Sequence, residues 1–169
     1  CGVIEDETNS EFSHLGIILK TNKGTMVLDS AGKVMQSSLK SFVSKAKKYS
    51  FLKLIRSNQS EFFPDSFTMN LIFRLEFEGA PYDPYFLVNN VINSKSALYC
   101  SEFVKEYFDL LGIETPDYRP MEFNKNLEKW KTYYLGLNIK VPEGELGINP
   151  ESFNQSNLYE SIKSFYKSY

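Results

Sequence analysis

The sequence predicts an α+β fold, and three features predict it. These are a hairpin pattern over residues 14–30, an apolar run at 50–56 that fits another strand, and a wide amphipathic helix around residues 99–111. At 169 residues, 42% hydrophobic and 15% aromatic, the chain is long enough to bury a core and short enough to make one domain, residues 1–169, the expectation. No internal repeat or low-complexity linker divides it.

In chain order, His14 to Lys20 and Thr25 to Ser30 alternate as two strands, with Thr21-Asn22-Lys23-Gly24 as the turn between them. A two-residue loop makes paired positions sum to an odd number, which puts His14 and Asp29 on one face with a small offset along the strands. A three-residue loop would reverse that parity. Ala31-Gly32-Lys33-Val34-Met35 reads as a connecting turn or short strand, and Leu39, Phe42 and Val43 as a short amphipathic segment. Ser50 to Arg56 fits a strand. Phe67 through Glu78 has helical spacing, with Phe67, Leu71 and Leu75 on one line, Ile72 and Phe73 on a neighbouring one, and a stop at Gly79. Ala80-Pro81-Tyr82-Asp83-Pro84 is turn chemistry. The next helix takes Ser94 or Ser96 as N-cap; its apolar face is Tyr99, Phe103, Tyr107 and Leu110 with Val104, Phe108 and Leu111, and Gly112 ends it. Beyond Glu114, where Pro116, Pro120, Pro142 and Pro150 punctuate the chain, Tyr133 to Ile139 is expected as a strand and Asn157 to Tyr169 as a terminal helix.

Net charge is −2, and the basic residues are scattered apart from Lys45-Ala46-Lys47-Lys48, so the basic stripe and motif of a nucleic-acid binder are missing. Two cysteines and one histidine make neither a disulfide framework nor zinc-ligand spacing, so no structural metal is expected. No apolar run approaches the length that crosses a bilayer, and no signal peptide is visible. The leading Cys1-Gly2 is what a mature lipoprotein shows once its signal is removed, with lipid on the Cys1 thiol; a boundary falling there by chance reads the same.

The scarcest residues carry the candidate chemistry. His14 is the one histidine, and Cys100 the one cysteine away from the N-terminus. A thiol is an effective nucleophile at neutral pH when something lowers its pKa, and a neighbouring imidazole is the usual partner. Cys100 falls in the first turn or two of its helix, where unpaired N–H groups and the positive end of the dipole favour an anion. An isolated helical cysteine is more often a small buried apolar side chain, but the polar pair Ser101-Glu102 directly after Cys100 is uncommon around a core cysteine. Each neighbour also has a plainer reading. His14 suits a strand start, Asp29 suits a cap for the turn Asp-Ser-Ala-Gly, Tyr82 and Asp83 suit a turn, and Glu5, Asp6 and Glu7 suit a solvated face. Nothing singles out a glycosidase-type pair among the 21 acids.

Taken as a set and in order, Phe12-Ser13-His14-Leu15-Gly16-Ile17, Val27-Leu28-Asp29-Ser30-Ala31, Gly79-Ala80-Pro81-Tyr82-Asp83 and Leu98-Tyr99-Cys100-Ser101-Glu102-Phe103-Val104 resemble the YiiX-like group of NlpC-type papain-like enzymes with a circularly permuted topology. Ile148-Asn149-Pro150-Glu151-Ser152-Phe153 resembles a further segment of that family. The resemblance implies a papain-like α+β domain in which a helix carrying the cysteine packs on an antiparallel sheet carrying the histidine. It implies Cys100 as nucleophile, His14 as base, and Asp29 as the group that orients the imidazole, at a place where the family more often has glutamate. It implies Tyr82 beside the oxyanion and Asp83 after it as a further oxyanion or substrate-binding residue. Family members usually open with a Gly-Asp dipeptide leading a first strand, and none precedes His14.

The expected activity is that of a thiol hydrolase with a Cys-His-Asp triad, an amidase, peptidase, acyl hydrolase or acyltransferase needing no metal or organic cofactor. Its expected substrates are peptides, cell-wall fragments or lipid-linked amides and esters, not nucleic acid. The expected location is the cell envelope or periplasm, with membrane anchoring through Cys1 on the lipoprotein reading and the cytoplasm as the alternative. The rival function is a non-catalytic lipid- or peptide-binding module on a papain-like shell, which would hold Cys100 and His14 too far apart for a hydrogen bond. A lectin-like role through surface aromatics finds no spacing signal.

Overall fold

The computed structural model describes residues 2–46 and 50–166; Cys1, Lys47, Lys48 and the last three residues of the expected terminal helix lie outside the described residues. Helix α1 (Gly2–Thr8) leads into strands β1 (Gly16–Thr21), β2 (Gly24–Ser30) and β3 (Val34–Ser38), followed by α2 (Leu39–Lys45) and β4 (Phe51–Ser57). Helix α3 (Ser66–Ile72) runs on into a π-helical stretch, Phe73–Phe77. After the short strands β5 (Val91–Ile92) and β6 (Lys95–Ser96) come α4 (Cys100–Leu110), β7 (Arg119–Pro120), α5 (Leu127–Gly136), β8 (Leu146–Gly147), α6 (Pro150–Gln155) and β9 (Tyr159–Tyr166). A helix, not a strand, therefore precedes His14.

The sheet order is β1-β2-β3, all antiparallel, and its register runs from Gly16↔Asp29 to Thr21↔Gly24. The loop is thus the two residues Asn22 and Lys23, and the parity that places His14 and Asp29 on one face holds. One face of this sheet takes α4, whose Phe103 and Tyr107 are 0% exposed and meet Phe77 in edge-on ring contacts. Leu28, Val34 and Phe73 join them in the same core. Gly79 and Gly112 close their helices as expected, each with a left-handed φ, 85° and 72°.

Four expectations are corrected. The helix after residue 66 is apolar on two opposite lines, and the structure buries Met69, Phe73 and Phe77 while Phe67, Leu71 and Leu75 face outward, Phe67 being 76% exposed. Spacing alone cannot choose between two such lines; the choice follows from the ring contacts of Phe73 and Phe77 with α4, and from the Tyr107 hydroxyl donating to the Met69 carbonyl. Helix α4 starts at Cys100 with Tyr99 as N-cap and no side-chain cap, because Asn93 and Ser94 both take positive φ in the tight turn between β5 and β6. Residues Tyr133 to Gly136 end a helix rather than form a strand, since Trp130 and Tyr134 stack four residues apart and pack on Phe123. The expected terminal helix is instead strand β9, because β4 offers it an antiparallel ladder from Phe51↔Tyr166 to Ser57↔Tyr159, with one register shift between Leu54 and Ile55.

The two faces of α3 should separate in unfolding experiments. Met69→Ala is expected to cost about 2–5 kcal/mol, whereas Phe67→Ser should stay within about 0.5 kcal/mol of the parent, both read from chemical denaturation midpoints.

Candidate active site

Three structural choices bring the sequence-predicted residues together. Strand β2 carries Asp29 inward to 0% exposure, and the residue after it, Ser30, donates from its hydroxyl to the Leu98 carbonyl at 2.6 Å. The Leu98 N–H in turn donates to the Pro81 carbonyl at 3.0 Å. These two bonds tie the sheet, the turn that carries Tyr82 and the start of α4 to one another, with Cys100 two residues beyond Leu98.

His14 lies just ahead of β1. Its Nε2 is 3.1 Å from Asp29 Oδ2, and its ring stacks on Phe42 at 5.6 Å between centroids. That leaves Nδ1 as the nitrogen free of Asp29, and Cys100 is close enough to His14 for hydrogen bonding and charge to act between the two side chains. Cys100 is the first residue of α4 and is 5% exposed. Burial pushes its thiol upward, but the hydrogen bond and charge of His14, with backbone hydrogen bonds from Leu15 and Ser101, bring it below the ordinary thiol value. Burial likewise pulls the imidazole downward, and the hydrogen bonds to Asp29 and Cys100 more than offset this, raising it to about 9. The arrangement therefore shifts the pair toward a thiolate facing an imidazolium.

Tyr82 is half-buried and close enough to Cys100 for their charges to interact; burial and that proximity raise its phenol, which keeps the hydroxyl protonated as a donor. Asp83 is 0% exposed, and its carboxylate accepts from the Tyr85 and Leu87 N–H groups and from Asn90 Nδ2 at 2.7–2.9 Å. Both oxygens accept hydrogen bonds that shape the 83–90 loop.

The polar pair after Cys100 also has a structural task. Ser101 donates to the Ile148 carbonyl at 2.9 Å, while the Tyr99 hydroxyl accepts from the Ile148 N–H at 3.0 Å, so two neighbours of the cysteine dock the segment after β8. Glu102, 0% exposed, accepts from the Asn89 N–H, and burial raises its carboxyl to about 8. Glu7 departs from the solvated-face expectation too. It accepts from the N–H groups of Asn124, Lys125 and Asn126 and from Trp130 Nε1, tying α1 to the segment that leads into α5. Neither contact had a local signal, since each joins segments far apart in the chain.

Beside Cys100 opens a cleft of about 780 Å³. Its lining includes Ile4, Phe86, Tyr99, Phe123, Trp130 and Tyr134 together with Ser13, Arg119, Asn149 and Glu151.

A cysteine at a helix N-terminus, packed on an antiparallel sheet that presents a histidine earlier in the chain, is the arrangement of a papain-like thiol hydrolase in permuted order. The chain belongs to the family described as permuted papain-like amidase enzyme, YaeF/YiiX, C92 family, whose model matches residues 2–163, and its class of activity is that of a cysteine hydrolase. Its fold is similar to the crystal structure of metalloprotein yiiX from Escherichia coli O157:H7, at 21% identity and a TM-score of 0.77, over 98% of this chain and 89% of that one. None of the curated proteins matches it. Among the described residues no three His, Cys, Asp or Glu side chains gather as a metal site.

The hydrogen bond that His14 donates to Asp29 should be visible in the one histidine. In Asp29→Asn the Cε1–H resonance of His14 in an untagged chain should titrate well below about 9, because the anionic partner that raises it is gone.

Proposed function

We propose that Cys100, His14 and Asp29 form the triad of an amide- or ester-cleaving thiol hydrolase. The observation that carries this reading is the placement of the Cys100 thiol beside an imidazole whose Nε2 bonds the buried Asp29 carboxylate at 3.1 Å, next to an open cleft. The Cys100 sulfur attacks the substrate carbonyl carbon, and the carbonyl electron pair moves to the oxygen. The N–H of Cys100, at the start of α4, and the Tyr82 hydroxyl are the donors for that oxyanion. As the tetrahedral species collapses, the imidazolium gives its proton to the departing amine or alcohol, leaving a thioester on Cys100. Water, deprotonated by the now neutral His14, attacks the thioester; the acid leaves, and the thiolate and imidazolium are restored. Asp29 holds Nε2–H throughout, fixing the ring orientation.

The mixed aromatic and polar lining of the cleft supports substrates that carry both apolar and polar groups, as peptides, cell-wall fragments and lipid-linked amides or esters of the cell envelope do. No helix of the described residues is long and apolar enough to cross a membrane.

Two measurements test the reading. Acylation by p-nitrophenyl acetate, mapped by mass spectrometry, should fall on Cys100 and vanish at that position in Cys100→Ala; equal acylation of another residue in the variant would overturn the assignment. The hydrolysis rate should be bell-shaped in pH. Its acid limb lies below the ordinary thiol range as Cys100 takes up a proton, and its alkaline limb lies at about 9, where the imidazolium is lost as pH rises through its raised value.

A further inference from the structure

We propose that helix α2 positions the histidine of this site, with Lys45 as a second cation on the Asp29 carboxylate and Phe42 as the surface against which the imidazole stacks. This rests on the triad reading above and adds to it two residues that do not touch the reacting atoms.

Asp29 is 0% exposed, and its two oxygens are unequally served. Oδ2 faces both His14 Nε2 at 3.1 Å and Lys45 Nζ at 3.5 Å, while Oδ1 has no hydrogen-bond partner. A buried carboxylate with so few donors depends on the cations around it. Lys45 closes α2 and is 42% exposed, so on the surface such a pair would count for little. Here its partner is fully buried and is the same oxygen that holds the catalytic ring, which makes the contact unlike a solvent-screened pair.

The rest of α2 serves the same contact. Phe42 stacks on His14 with the ring planes 28° apart. It can come that close because Gly16 opposes Asp29 on β1; a Cβ there would lie 3.2 Å from Phe42 Cε2 and 2.9 Å from Val27 Cγ1. Among the described residues, the charged and titratable groups around the imidazole are Asp29 from β2, Lys45 from α2 and Cys100 from α4, with β1 contributing glycine. Lys45 and the imidazolium therefore share one anion. Lys45 repels the ring's charge and stabilises the carboxylate when the ring is neutral, so removing it makes the imidazolium harder to deprotonate.

The experiment uses the single histidine as its own reporter. In the full untagged chain, the His14 Cε1–H resonance is titrated in the parent, in Lys45→Met, which keeps an aliphatic stem, and in Lys45→Arg. The parent midpoint is expected at about 9; Lys45→Met should move it up by about half a pH unit or more, and Lys45→Arg should return it. Turnover of p-nitrophenyl acetate should fall about threefold or more in Lys45→Met, with KM little changed, as a loosened catalytic ring requires, and should recover in Lys45→Arg. A midpoint unchanged or lowered in Lys45→Met, with parental turnover, overturns the positioning role while normal acylation of Cys100 leaves the triad standing. Failure of the parent itself to acylate Cys100 overturns the triad and this inference with it.

Discussion

The site is built around one buried negative charge. A carboxylate at 0% exposure is costly unless cations and donors compensate it, and the elements around Asp29 are arranged to do so. Strand β2 points it inward, the entry to β1 supplies His14, α2 supplies Lys45, and Ser30 next to it fastens the sheet to the start of α4. The electrostatics of Cys100 then follow. The imidazole held by Asp29 is raised, the thiol facing it is lowered, and the helix start adds backbone N–H groups on the anion's side.

A second layer of long-range contacts shapes the cleft rather than the charge. Tyr99 and Ser101, on either side of the cysteine, grip the backbone of Ile148, while Glu7 reaches from α1 to the segment that leads into α5. Asp83 holds its own loop closed through three donors, bringing Phe86 to the wall beside Tyr99 and Trp130. Polar side chains that look catalytic in a sequence are thus divided between chemistry and construction. Asp29 keeps one oxygen without a hydrogen bond and the other for cations, whereas Asp83 spends both on backbone and amide donors.

Legibility in the sequence followed the range of the interaction. The hairpin was legible because turn chemistry and strand alternation are local, and its parity carried His14 and Asp29 to one face before any fold was known. Helix α4 was legible because its apolar face spans three turns and ends at a glycine, although Leu110 from that face is 56% exposed. Strand β9 was not, since its residues lie mostly exposed and only its partner β4, about a hundred residues earlier, makes it extended. The buried line of α3 was not legible either, because both of its lines are apolar and only the rings of α4 distinguish them.

From the sequence alone came the scarce pair, His14 and Cys100, the carboxylate in register with the first, a helix start to favour a thiolate at the second, and their resemblance as an ordered set to permuted papain-like enzymes. The pair, the carboxylate and the helix start follow from spacing, parity and residue chemistry, which act over a few residues, while the resemblance rests on the ordered motifs themselves. The tertiary structure alone decided that the thiol and the imidazole meet, that Lys45 and Phe42 of α2 stand behind the histidine, and that Asp83 is buried and bonded to its own loop. Each of these depends on which surfaces pack together, and packing joins residues that no local pattern relates.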